Sequence, residues 1–120
     1  MTAKIIIGAT EDETRMGLVE DGRLMEYLVE RAEENHLVGS IFKGRVCNVV
    51  RGIQAAFIDI GLEQNAFLYL GDKMDVTEGQ SILVQISKDA RGTKGPTATR
   101  EVTLPGKYVV LLPYASYIGV

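Results

Sequence analysis

"AAFIDIGLEQNAFLYL", residues 55–70, is the stretch on which the reading of this chain turns. It reads as two short strands joined by a turn over residues 61–64, with Gly61 at its start. Strand side chains alternate between two faces. In residues 53–60 one face carries Gln54, Ala56, Ile58 and Ile60, and the other carries Ile53, Ala55, Phe57 and Asp59. In residues 65–70 one face carries Ala66, Leu68 and Leu70, and the other Asn65, Phe67 and Tyr69. The aliphatics mark the core side, so Phe57 and Phe67 fall opposite it, beside Asp59 and Asn65. An aspartate is rarely buried without a partner. Two readings follow. The rings pack on each other or beneath a loop, or they form a surface on which something stacks.

The neighbouring sequence extends this hairpin into a barrel. "SIFKGRVCNVV" reads as a strand, "RG" at 51–52 as a turn, "IQAAFIDI" as a second strand, "GLEQ" as a turn and "NAFLYL" as a third. "GDKMDVTEG" is polar and loop-like, "QSILVQIS" a fourth strand, "KDARGTKGPT" a long glycine-rich loop and "ATREVTL" a fifth strand. Five short strands with frequent turns predict an all-β, five-stranded barrel of the oligonucleotide-binding (OB-fold) type. Before it, "AKIIIGA", "ETRMGLVE" and "RLMEYLVE" predict a small β-meander, with Asp21-Gly22 as a two-residue hairpin turn. "RAEENHLVG" reads as a helical turn or a linker. "PGKYVVLLP" predicts one more strand outside the barrel, and the apolar ending "YVVLLPYASYIGV" suggests a piece of a longer protein.

Composition narrows the class. The chain has 120 residues and is 46% hydrophobic and 24% charged, as an ordinary globular protein is. No apolar run approaches the ~18 residues of a membrane span, and the N-terminus lacks a secretory pattern, so the expected location is cytoplasmic. Cys47 stands alone, without a disulfide partner or a zinc-binding pattern. The net charge is −3, but it is unevenly spread. Residues 1–38 hold four basic and nine acidic side chains, whereas residues 39–100 hold eight basic and six acidic. A mildly basic middle permits a phosphate-binding face without requiring one.

The candidate site residues sit in that middle. Barrels of this type bind single strands by stacking bases on aromatic side chains, at ~1–3 kcal/mol per base, while lysine and arginine hold the backbone. Phe57 and Phe67 are the candidate stacking residues. Arg91 and Lys94 lie in the loop between the fourth and fifth strands, which flanks the binding face in such barrels. Lys43 and Arg45 share one face of the first strand. Each cation, alone, is as well explained by a solvated loop or strand edge. His36 lacks a nucleophile pattern, and Asp72 and Asp75 lack the rest of a calcium loop. No catalytic centre is evident, and the chain alone reads as non-catalytic.

These motifs resemble a known family. "GSIFKGRVCNVVRGIQAAFIDIGLEQNAFLYL" and "EGQSILVQISKDARGTKGPTATREVTLPGKYVVLLP" are similar to the N-terminal region of the ribonuclease E/G family of bacterial endoribonucleases, and "TRMGLVEDGRLMEYLVER" fits as well. The short "GDKMDVTEG" loop points to the ribonuclease G side. The resemblance implies three parts: residues 1–38, strands of a split RNase H-like domain and a linker; residues 39–100, an S1-type OB-fold RNA-binding domain; residues 101–120, a return segment. It implies that single-stranded RNA is held by Phe57, Phe67 and Lys94. For the whole family it implies RNA processing and decay, magnesium-dependent cleavage, a zinc site and homo-oligomers. The metals belong to segments other than this one, so no cofactor is expected here. The expected partners are single-stranded RNA and the rest of the ribonuclease chain. The alternative is a protein-interaction or oligomerisation module with no direct role in RNA binding.

Overall fold

In the computed structural model, which describes residues 1–32 and 36–120, the chain folds as two units, Met1–His36 and Leu37–Val120. The first is an antiparallel sheet of β1 (Ala3–Ala9), β2 (Glu13–Glu20) and β3 (Arg23–Arg31), in that order. Asp21 and Gly22 both have positive φ, 48° and 80°, as the tight turn between β2 and β3 requires. The sheet buries little of its apolar content: Ile5, Ile6 and Ile7 are 65, 60 and 65% exposed. The segment expected to be a helical turn or linker falls partly on residues 33–35, outside the described residues.

The second unit is the expected barrel. Its strands are β4 (Ile41–Val50), β5 (Ala55–Asp59), β6 (Ala66–Tyr69), β7 (Ser81–Lys88) and β8 (Thr97–Thr99). They close in the order β4-β5-β6-β8-β7, with β7 returning to pair with β4. The β6–β8 contact is parallel and the other pairings are antiparallel, which is the Greek-key arrangement of an OB barrel. Val46, Ile58, Leu68, Val84 and Ile86 are the largest side chains sealed inside. Ala56, Ile60, Ala66 and Leu70 join them in the core, so the alternation read from residues 53–70 is the one the barrel adopts.

Two features fix this wall. Gly44 of β4 lies hard against β5. A Cβ there would overlap Ile58 Cγ2 and come within 3.0 Å of the Asp59 carbonyl oxygen. The second is the buried amide of Gln85 on β7. Its Nε2 donates to the carbonyls of Gly39 (3.1 Å) and Thr103 (3.0 Å), and its Oε1 accepts the Thr103 N–H (2.8 Å). One side chain therefore holds the chain both just before β4 and just after β8.

Several elements differ from the sequence expectation, each for a local reason. The second strand begins at Ala55 rather than Ile53, because Arg51–Ile53 form a 3-10 turn and Gln54 takes a left-handed conformation with φ 51°. The fifth strand is only three residues long. The Thr99 hydroxyl accepts the Glu101 N–H at 3.1 Å, which turns the chain away from the ladder. "PGKYVVLLP" yields no full strand. It gives the two-residue ladder of β9 (Leu104–Pro105) and β10 (Val110–Leu111). No helix among the described residues is long and apolar enough to cross a membrane.

The packing at Gly44 is directly testable. Gly44→Ala is expected to lower stability by about 1–3 kcal/mol through overpacking against Ile58. Urea unfolding followed by circular dichroism measures it, and a midpoint equal to that of the parent contradicts the tight crossing.

Candidate nucleic-acid interface

The hairpin of β5 and β6 sets the centre of the site. Its register places Phe57 directly opposite Phe67. Their ring centroids are 5.8 Å apart and the planes meet at 71°, an edge-to-face pair. Such pairs contribute ~0.5–1.5 kcal/mol beyond area burial. Both rings are half-buried on the outer side of the barrel wall, while Asp59 and Tyr69 on the same side are exposed. Asp59 spends its carboxylate on the turn, accepting the Gly61 N–H at 2.8 Å. Tyr69 directs its hydroxyl to Gln54 Oε1, at 3.4 Å.

The glycine-rich loop is more ordered than its composition suggests. Arg91 and Lys94 exchange two backbone hydrogen bonds, of 3.0 and 2.9 Å, around a two-residue turn. Gly92 supplies positive φ, 54°, at the first turn position. The loop is tied to the β5–β6 turn: Gln64 Nε2 donates to the Gly92 carbonyl at 3.2 Å, and Gly95 passes so close to the Asn65 carbonyl that a Cβ would overlap it. The Phe67 N–H then donates to the Pro96 carbonyl at 2.8 Å. Lys94 is thereby held two residues from a backbone contact to the aromatic pair.

The six residues selected from sequence separate into groups. Phe57 and Phe67 touch, and Arg91 and Lys94 are bridged on the loop pinned beside them. Arg45 lies on β4 opposite Asp59, two residues along β5 from Phe57. Lys43 lies farther along β4, opposite Leu83 of β7 rather than opposite β5. Among the described residues the ion pairs join Glu13 to Arg15 and Arg31, and Asp75 to Arg100, so these four cations carry none. The Arg100 guanidinium, 3.1 Å away, holds the Asp75 carboxyl below the usual carboxylate range. A crevice of about 1080 Å³ lies elsewhere, along Arg100–Thr103 and Tyr114–Tyr117, and none of the six residues lines it.

Sequence reasoning missed the residues that continue the aromatic pair sideways. Asn48 of β4 lies opposite Phe57, Thr97 of β8 opposite Phe67, and Lys88 of β7 opposite Thr97. No alternation pattern shows them, because a register shift precedes both Asn48 and Lys88. Among the described residues no three His, Cys, Asp or Glu side chains cluster.

Comparison with known proteins now bears on this geometry. The chain is 40% identical to ribonuclease G of Escherichia coli (strain K12), over all of this chain and 29% of the relative. It is 39% identical to ribonuclease G of Haemophilus influenzae, over 98% of this chain and 28% of the relative. To ribonuclease E of Buchnera aphidicola subsp. Acyrthosiphon pisum it is 34% identical, over 97% of this chain and 15% of the relative. The chain belongs to the ribonuclease E/G family, as an N-terminal region. It spans under a third of the length of the ribonuclease G relatives it matches. No protein-family model matches it. The higher identity lies with ribonuclease G. The match to Escherichia coli ribonuclease G runs over 141 aligned positions and takes in all 120 residues here, so about 21 positions of that relative have no counterpart in this chain.

The pinned loop gives a second test. Gly95→Ala is expected to push the 91–96 turn off the Asn65 carbonyl. In hydrogen exchange the Phe67 amide should lose protection while the Ile58 amide changes little. Equal protection of Phe67 in parent and variant contradicts the contact.

Proposed function

We propose that residues 39–100 form an S1-type domain that binds single-stranded RNA, within a ribonuclease E/G-type endoribonuclease of RNA processing and decay. The observation that carries this is the half-buried Phe57–Phe67 pair on the outer wall of an OB barrel, with the Lys94 turn tied beside it. Every base has a π-face, so an aromatic pair accepts unpaired bases without strong sequence preference. A lysine held on a flanking loop supplies a point charge for the phosphodiester that joins them. The unpaired cations Arg91, Arg45 and Lys43 extend the positive potential along the wall.

In this reading, residues 1–38 are strands of an RNase H-like domain, residues 101–120 are its return segment, and cleavage belongs to another part of the enzyme. The barrel's task is to hold a cytoplasmic RNA and present it. The rest of the ribonuclease chain is then its partner, and the homo-oligomer implied for the family is built through other segments.

Phe57→Ala and Phe67→Ala are each expected to weaken binding of a short AU-rich RNA by about 1–3 kcal/mol, roughly 5- to 150-fold. Lys94→Ala should also reduce the salt dependence, by about 0.7 in the slope of log K against log salt for one lost phosphate contact. Fluorescence anisotropy at several salt concentrations measures both. A double phenylalanine variant that binds like the parent refutes the reading, and binding that ignores salt favours an apolar protein contact instead.

A further inference from the structure

Two one-residue bulges decide what flanks the phenylalanines. In β4 the inward residues are Gly44 and Val46, and plain alternation would turn Asn48 inward too. The shift between Val46 and Asn48 leaves Cys47 as the extra residue, sets Asn48 opposite Phe57 and sends Val49 against the core. The same event recurs in β7. Val84 and Ile86 point inward, and the shift between Ile86 and Lys88 brings Lys88 opposite Thr97, outside the core. Each bulge interrupts a ladder and re-aims a side chain, and bulges concentrate at barrel rims and working surfaces. Here both deliver an exposed polar side chain into one row across all five strands: Asn48, Phe57, Phe67, Thr97, Lys88.

The row has the dimensions and chemistry of a track. Four strand spacings of ~4.8 Å give roughly 19 Å, about five nucleotides at the ~3.4 Å rise of a stacked strand. Among the described residues neither Asn48 nor Lys88 has a side-chain hydrogen bond or ion pair of its own, and both are exposed. We propose that Asn48 and Lys88 are the two end contacts of the single-stranded RNA track centred on Phe57 and Phe67. The Lys88 ammonium holds a phosphate. The Asn48 amide, which both donates and accepts, hydrogen-bonds a base edge or ribose hydroxyl at the other end. This deepens the RNA-binding reading above and rests on it.

The test titrates a 5′-fluorescein-labelled ten-nucleotide A/U RNA into the parent and variants at several salt concentrations. Lys88→Gln is expected to weaken binding about three- to tenfold at 0.1 M salt and to lower the salt slope by about 0.7. Lys88→Arg should keep the slope. Asn48→Ala should weaken binding about threefold with the slope unchanged. Lys4→Gln, on β1 of the other unit, controls for loss of charge alone, and thermal melts on each variant control for folding. Parent-like affinity and slope for Lys88→Gln, or an effect no larger than that of Lys4→Gln, overturns the proposal, as does parent-like affinity for Asn48→Ala. If the double phenylalanine variant loses binding in those same cases, only the track fails. If that variant binds like the parent, the RNA reading beneath it fails.

Discussion

The barrel closes through two residue pairs. Phe67 with Thr97 and Leu68 with Ala98 are the whole parallel contact between β6 and β8. Without it the wall would be an open sheet with two free edges, and its inner aliphatics would lie against water on one side. The contact also does more than close the core. Leu68 and Ala98 face inward at this seam, whereas Phe67 and Thr97 face outward. The hydrogen bond from Phe67 to the Pro96 carbonyl brings the preceding loop down beside the aromatic pair. The same seam therefore seals the interior and brings the loop and the outer aromatic pair together.

Much of this was legible in the sequence because a period of two survives in the strands that matter. Ile58 and Ile60, with Ala66, Leu68 and Leu70, define the core side without any structure, and Phe57 and Phe67 follow from parity. Asp21-Gly22 announced its turn because both positions need positive φ. The illegible parts are those where one residue breaks the period. Asn48 and Lys88 have no local signal, since a bulge shifts parity without a required residue type. Gln54 in a left-handed conformation could not be read because glutamine carries no preference for it. The loop over 91–96 reads as floppy from its glycines. One of them, Gly95, is there because the Asn65 carbonyl leaves no room for a Cβ.

The two units differ in how they are held. The barrel has an interior in which Ala56, Ile58, Ala66 and Val84 are fully sealed. The three-stranded sheet has hydrogen-bonded ladders and a well-formed turn, but its isoleucines, Leu24, Met25 and Leu28 remain largely exposed. Sheet hydrogen bonds alone contribute little net stability, and apolar burial supplies most of the rest. Folding free energy within this chain therefore resides mainly in residues 37–120.

Gln85 carries a consequence for where such a barrel can sit in a longer chain. Its amide binds Gly39 and Thr103, so the two points where the chain joins and leaves the barrel lie within reach of one side chain. A host fold interrupted at that place is asked to span only a small gap. The entropy of closing a loop grows slowly with its length, and a pre-closed insert adds almost none. The barrel is thus a cassette with its own clasp: it can be carried in the middle of another domain's sequence while leaving that domain's strands free to pair.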